Sequence, residues 1–127
     1  MSWHAITFDS NSNKVVVGFR DNNDQDKIRA MVGTVSGTSI SFGSIVDVTP
    51  GSSSSHFTQL TFDSNSNKIV IAYRESSASG YAGKANVGTV SGTSISFGSA
   101  VTFENSRCEP TSITFDSNSN KVVILFK

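Results

Sequence analysis

The sequence predicts an all-β protein of antiparallel four-stranded units of about 54 residues, with about 2.5 units in the 127-residue chain. Two repeated blocks and one compositional pattern indicate this. The heptapeptide FDSNSNK occurs three times, starting at Phe8, Phe62 and Phe115. The block VGTVSGTSISFGS occurs twice, starting at Val32 and Val87. Apolar residues come in short runs rich in Val, Ile and Phe, which are typical of strands.

The first two predicted strands of each unit flank the Ser/Asn segment of FDSNSNK. Strand two consists of runs such as KVVVGFR and KIVIAYR, which are nearly continuously apolar, as expected for a sheet covered on both faces. The SNSN segment predicts a hairpin turn, because Asn tolerates positive φ and both side-chain types bond nearby backbone amides. The predicted positions are Ala5–Asp9, Gln59–Asp63 and Ser112–Asp116 for strand one, and Lys14–Arg20, Lys68–Arg74 and Lys121–Lys127 for strand two.

Strands three and four surround the second repeated block. In Thr38–Phe42 apolar and polar residues alternate, which indicates a strand with one buried and one solvated face. Gly37 and Gly92 predict the tight turn before this strand, and Gly43 and Gly98 predict either a β-bulge within it or a close approach of neighbouring backbone. The predicted positions are Ile28–Val35 and Ala85–Val90 for strand three, and Ser39–Val48 and Ser94–Phe103 for strand four.

Four segments are predicted to be loops. Thr49–Phe57 and Glu104–Pro110 connect the units and contain both prolines. Asp21–Lys27 and Glu75–Lys84 differ between the units although the strands around them are alike. Because loops that vary on a constant scaffold commonly carry recognition, ligand contact is predicted there. The predicted organisation is one domain, 1–127, with units at about 5–57 and 58–109 and a half unit at 110–127.

Composition excludes several classes of function. Ten basic and ten acidic side chains cancel, so neither nucleic acid nor a membrane is predicted as a partner. Cys108 is the single cysteine, which excludes an intramolecular disulfide, and we expect a small buried residue there. No apolar run could span a bilayer and no signal peptide is visible. The compartment stays open, with an extracellular or virion-associated location as one alternative.

Four antiparallel strands in about 50 residues are typical of a propeller blade. The FDSNSNKVVVGFRD and VGTVSGTSISFGS pattern covers nearly the whole chain and resembles a β-propeller-like repeat family of secreted, phage-associated and marine microbial proteins. It is also loosely similar to the Asp-box of sialidase-type propellers. Thr7 and Asp9 fit the Ser/Thr-x-Asp-x-Gly hairpin, whereas Asn11 stands in place of the glycine. The resemblance implies propeller-like blades.

The unit count predicts self-association. Two complete units and a half unit would leave a sheet edge and an apolar face uncovered. A homo-oligomer is therefore expected, and two chains that pair their terminal edge strands in a two-fold contact would together supply five blades. The alternative is a piece of a longer repeat protein.

The segment Asp9–Asn13 places three oxygen-bearing side chains in alternation, as in the start of a calcium loop. However, Lys14 and Arg20 stand where such a loop needs a glycine and an acidic residue. We therefore interpret the segment as a turn, and neither a metal nor another cofactor is predicted.

Candidate ligand-binding residues lie at the end of strand two and in the variable segment after it. Arginine forks there would suit carboxylates and sugar hydroxyls, with ion pairing inside each unit as the alternative. An aromatic ring in the variable segment could stack on a sugar. The candidates are Tyr81, Arg20, Arg74, Asp21 and Glu75.

Two further aromatic residues, Trp3 and Phe57, are expected to pack between units. No nucleophile elbow, phosphate loop or HExxH helix is visible, so no catalytic residue is assigned. The sequence predicts a non-catalytic binding module for carbohydrate or protein. One alternative is a structural repeat fragment of a larger fibre, adhesin or virion-associated protein. The other is a fragment of a glycosidase- or sialidase-like propeller.

Overall fold

The computed structural model of this chain describes residues 1–49, 54–77 and 80–127. In these residues all regular structure is β, and the paired strands are antiparallel. The predicted fold class, an all-β protein of antiparallel sheets, is confirmed. None of the described residues forms a helix that is long and apolar enough to cross a bilayer.

The described residues form two five-stranded sheets and a two-stranded hairpin. The first sheet contains β1 Ser2–Asp9, β2 Lys14–Asp21, β3 Lys27–Ser36, β4 Ser39–Phe42 and β5 Val46–Asp47. The second contains β6 Ser54–Asp63, β7 Lys68–Ser77, β8 Gly80–Ser91, β9 Ser94–Phe97 and β10 Val101–Glu104. The hairpin consists of β11 Pro110–Asp116 and β12 Lys121–Phe126. In both sheets the strands pair in chain order, and the last two (β4 and β5, or β9 and β10) both pair with the strand before them.

The three FDSNSNK segments form hairpin turns, as predicted. Asp9 Oδ1 accepts hydrogen bonds from the amides of Asn11 (2.9 Å) and Ser12 (3.1 Å), and Asp9 Oδ2 accepts one from Ser12 Oγ (2.6 Å). Asn13 then adopts a left-handed φ of 53°. The two later copies, at Asp63 and Asp116, make the same three bonds. Both carboxylate oxygens are thus used within each turn.

Replacing Asp9 by alanine is expected to lower the free energy of unfolding by about 1–2 kcal/mol, because a buried carboxylate and its local hydrogen bonds are lost. Replacing Asn13 by glycine should change it by less than about 1 kcal/mol, since glycine adopts positive φ without steric cost. Urea denaturation of both variants measures the difference. Equal destabilisation by the two changes would contradict the role assigned to the carboxylate.

The predicted β-bulges form at Gly43 and Gly98, and they divide strand four in two. Residues 43–45 face only Met31 and Val32 of β3, so β4 and β5 replace the continuous strand predicted at 39–48. Gly43 N donates to Val32 O (2.8 Å), and in the second sheet Gly98 N donates to Val87 O (2.9 Å). The continuous strand predicted at 94–103 is divided in the same way. Because three residues lie opposite two in each bulge, one residue has no partner in the β-ladder, and regular pairing ends there.

Two segments predicted as loops contribute several residues each to strands, whereas the other two contribute only their end residues. Residues 54–57 belong to β6, and the pairing of β7 with β8 continues from Tyr73–Lys84 out to Ser77–Gly80. Main-chain groups pair irrespective of side-chain type, so the apolar pattern could not show this extension. Residues 50–53 and 78–79 of these predicted loops lie outside the described residues.

The main core lies between the first and second sheets. Gly18 of β2 lets the sheets approach, because a Cβ there would lie 2.6 Å from Leu60 Cδ2 and 3.0 Å from Ile71 Cδ1. Apolar side chains of both sheets fill the space between them. Removal of their surface from water is the main contribution to the stability of such a fold. The buried residues are Val16, Ile28, Ala30, Val32, Val48, Leu60, Ile69, Ile71, Tyr73 and Ile95.

The hairpin adjoins the second sheet through β11, which lies beside β6 and β7. Main-chain hydrogen bonds between Glu109 and Lys127 (2.9 and 3.2 Å) join its two ends, and the Phe126 ring lies 5.7 Å from that of Phe103. Cys108 is buried here, as expected, and burial raises the pKa of its thiol. Since β1 also lies beside β6, the first strands of all three units are neighbours.

Candidate functional site

Arg74, near the end of β7, is buried against two aromatic rings and a carboxylate. Its guanidinium carbon lies 4.7 Å from the centre of the Phe57 ring and 5.0 Å from that of Tyr81. Its Nη1 donates to Glu109 Oε1 at 2.9 Å. Cation–π attraction and the ion pair together compensate for removing this charge from water.

Exposed groups extend this arrangement to the surface. Tyr81 lies on β8 opposite Ser76 and is 46% exposed. The Arg107 guanidinium lies 5.7 Å from its ring centre, and Arg107 and Lys127 both project mainly into solvent. We call this set the aromatic–arginine cluster, which consists of Trp3, Phe57, Arg74, Tyr81, Arg107, Glu109 and Lys127.

Trp3 and Phe57 occupy matching positions in β1 and β6, where each strand carries a β-bulge. Their φ angles of 52° and 58° are left-handed, which is rare for bulky residues and reorients both side chains. The ring centres lie 4.4 Å apart, so the two rings pack between neighbouring units, as predicted. Through Phe57, this aromatic pair also supports Arg74.

Glu109 connects the three cations of the cluster. Its Oε1 lies 2.9 Å from Arg74 Nη1 and 3.0 Å from Arg107 Nη2, and its Oε2 lies 3.3 Å from Lys127 Nζ. The hydrogen bond from Arg107 is the main reason why the pKa of Glu109 is lowered, and Lys127 adds to the effect against desolvation. Three basic side chains around one acidic side chain leave an excess of positive charge.

Acidification is expected to weaken the cluster. Because the pKa of Glu109 is lower in the folded than in the unfolded chain, its contribution to stability is full above about pH 4.5 and is lost as the pH falls further. Thermal unfolding of the wild type and of Glu109→Gln measures this contribution. The variant should be the less stable protein at about pH 7, and the gap should narrow progressively as the pH falls below about 4.5. A gap that is independent of pH would contradict this role.

Of the five residues predicted from the sequence to bind a ligand, the structure brings together Arg74 and Tyr81. The other three form ion pairs within their own units, which was the alternative. These pairs are Arg20 Nη2–Asp26 Oδ2 (2.6 Å), Asp21 Oδ2–Arg29 Nη1 (2.8 Å) and Glu75 Oε2–Lys84 Nζ (3.1 Å).

Sequence reasoning missed Arg107 and Glu109 as members of a site, whereas Lys127 was recognised as the third position equivalent to Arg20 and Arg74. Arg107 and Glu109 lie in the segment that was predicted as a connecting loop. Their only sequence signal is opposite charge two residues apart, which is common on protein surfaces and carries little information.

A separate cavity of about 490 Å³ lies between the first and second sheets, with Asp47 and Glu75 in its lining. Other polar groups there already bond to the protein: Tyr73 Oη donates to Asn86 Oδ1 (2.8 Å), and Asn86 Nδ2 donates to Gly98 O (2.8 Å). Burial raises the pKa of Tyr73, so its phenol stays protonated. The aromatic–arginine cluster, with exposed cations and an exposed ring, is the stronger candidate.

Within the described ranges, no group of His, Cys, Asp and Glu side chains is arranged to hold a metal ion. Comparisons with protein-family models, curated proteins and solved structures give no match for this chain. The chemistry of the cluster is therefore the basis for assigning a ligand. An exposed ring next to an exposed guanidinium can contact one group of a ligand while the guanidinium binds an anionic group.

Proposed function

We propose that this chain is a non-catalytic binding module of propeller-like repeats, and that the aromatic–arginine cluster binds an acidic glycan. The observation that carries the proposal is the exposed Tyr81 ring beside the guanidinium of Arg107. A sugar packs against the part of the ring that is exposed to solvent, and the Arg107 guanidinium binds a carboxylate of the same or the next sugar.

The buried part of the cluster supports this role by holding the exposed part in place. Arg74 contacts the Tyr81 ring from within, and Glu109 bonds to both Arg74 and Arg107. A ring and a guanidinium that are already positioned lose less conformational entropy when a ligand binds.

The propeller-like arrangement is supported by how the units meet. The first strands β1, β6 and β11 lie side by side, and the first sheet packs face to face on the second. Neighbouring blades of a propeller, which are arranged around a common axis, pack in the same way.

Two titratable groups lack the pKa shifts that catalysis by them would need. An acid catalyst needs a raised carboxyl pKa, whereas the pKa of Glu109 is lowered. A tyrosine nucleophile needs a lowered pKa, whereas that of Tyr73 is raised.

Calorimetric titration tests the proposal with two oligosaccharides of equal length, one of hexuronic acids and one of neutral hexoses. The wild type should bind the acidic oligosaccharide, and Tyr81→Ala and Arg107→Gln should each weaken binding about tenfold or more, that is by about 1.4 kcal/mol. Added salt should weaken it as well, because the bound anion is screened.

Phe8→Ala, measured with dilute, monomeric protein, is the matched control, since it removes another exposed aromatic ring at the opposite end of β1 from Trp3. This variant should bind like the wild type. A folded wild type that binds neither oligosaccharide would overturn the proposal, as would equal binding of both. If Phe8→Ala weakens binding as much as Tyr81→Ala does, the cluster is not the site.

A further inference from the structure

We infer that the chain assembles head to tail with further copies of itself, through two apolar surfaces at opposite ends of the stacked units. The leading face is the side of the first sheet turned away from the core, and its exposed apolar residues are Ile6, Phe8, Val35, Ile40 and Phe42. The trailing face consists of the exposed apolar residues turned away from the first sheet on the hairpin and the second sheet, namely Val123, Leu125, Val87 and Val101.

The strand register places the leading-face residues on one surface. Ile6 pairs with Val17, Phe8 pairs with Val15, and Val35 pairs with Ile40. Directly paired residues in an antiparallel sheet point to the same side. On the other side of the same strands, Ala5 and Val16 pack in the main core.

The chain already contains the contact that the leading face would make. In the second sheet the repeat-equivalent residues of the leading face are Leu60, Phe62, Val90, Ile95 and Phe97, and all of them pack against the first sheet. Ile6 is 66% exposed whereas Leu60 is 7% exposed, and Ile40 is 50% exposed whereas Ile95 is 3% exposed. The same side chains on the same strands are therefore covered in one unit and open in the other.

The trailing face shows the complementary difference. Val32 of the first sheet is fully buried against the second sheet, whereas its repeat equivalent Val87 is 48% exposed. On the hairpin, Val123 pairs with Thr114, and Leu125 pairs with Ser112. The side chains of Val123 and Leu125 therefore point to the same side of the hairpin. Inside the chain, the trailing side of the first unit packs on the leading side of the second unit. The chain therefore has one open leading face and one open trailing face.

This asymmetry favours a head-to-tail contact over the two-fold pairing of terminal edge strands that the sequence predicted. A two-fold contact would join two identical faces, for which the chain offers no internal precedent. A head-to-tail contact reuses the internal packing and leaves a free face at each end, so assembly continues until a ring closes or a filament forms.

Light scattering on two singly blocked variants tests this inference. Ile6→Lys blocks the leading face and Leu125→Lys blocks the trailing face, and both positions are more than half exposed, so the fold should persist. The wild type should exceed 13.5 kDa and grow with concentration. Each variant alone should be a monomer, and an equimolar mixture should form a 1:1 complex through the two unblocked faces.

A wild type that stays monomeric at all concentrations would overturn the inference. A homodimer of either variant would do so as well, since one face would then pair with itself, and so would a mixture that stays monomeric. Circular dichroism checks folding, and Phe42→Lys with Val123→Lys repeats the test if the first pair misfolds. Neither pair alters Tyr81 or Arg107, so loss of assembly and loss of glycan binding can be told apart.

Discussion

Replacing Gly43 by alanine is expected to destabilise the protein by about 3 kcal/mol, because overpacking at a backbone contact cannot relax through a side chain. A Cβ at Gly43 would overlap the main-chain carbonyl oxygen of Thr93, and it would lie 2.9 Å from the carbonyl carbon. The turn at Thr93 belongs to the second sheet, so the two sheets would have to move apart. Urea denaturation of a dilute, monomeric sample measures the loss.

Gly98→Ala is the matched control, because Gly98 stands in the same SISFGS sequence and at the same β-bulge. A Cβ there would have only Val87 O within 4 Å, at 3.8 Å, which is an ordinary contact. We expect a change within about 0.5 kcal/mol, as for most surface substitutions. Equal effects of the two substitutions would show that the bulge, and not the packing of the sheets, requires glycine.

Truncation of Ile95 to alanine should lower the free energy of unfolding by about 2–5 kcal/mol, the range for a buried isoleucine that leaves a cavity. Ile95 is nearly inaccessible in the main core, whereas Ile40 occupies the same place in the repeat and is half exposed. Ile40→Ala should therefore change the stability of the monomer by less than about 1 kcal/mol.

Comparing Ile95→Ala with Ile40→Ala also separates the stability of the monomer from its self-association. Ile40→Ala should weaken self-association, which is measured by light scattering, while leaving dilute thermal unfolding nearly unchanged. If Ile95→Ala and Ile40→Ala destabilise the dilute monomer equally, the assignment of the core to the space between the first two sheets is wrong.

The local structure of this protein could be predicted from its sequence because local chemistry decides it. The Asp9 carboxylate and the positive φ of Asn13 make the SNSN turn wherever the segment occurs. Short apolar runs rich in Val, Ile and Phe located strands one to three, although β6 and β8 begin before the predicted starts. The division of strand four and the extension of β7 and β8 depend on main-chain pairing, which side-chain patterns do not encode.

The candidate site could be predicted only in part. Arg74 and Tyr81 were found because their residue types suit ligand binding, and β8 places them together. Glu109 lies 35 residues from Arg74 in the chain, so no local pattern could pair them. Arg20, which is the repeat equivalent of Arg74, bonds instead to Asp26 of its own unit.

By itself, the sequence determined the all-β class, the turns, the bulges and the approximate positions of most strands, since these depend on side chains within a few residues of one another. Only the tertiary structure decided which copy of an identical residue is buried. Ile40 and Ile95 share their neighbours in sequence, yet one faces solvent and the other faces the first sheet. Burial depends on what covers a face, and that neighbour is supplied by a distant part of the chain, or by another copy of it.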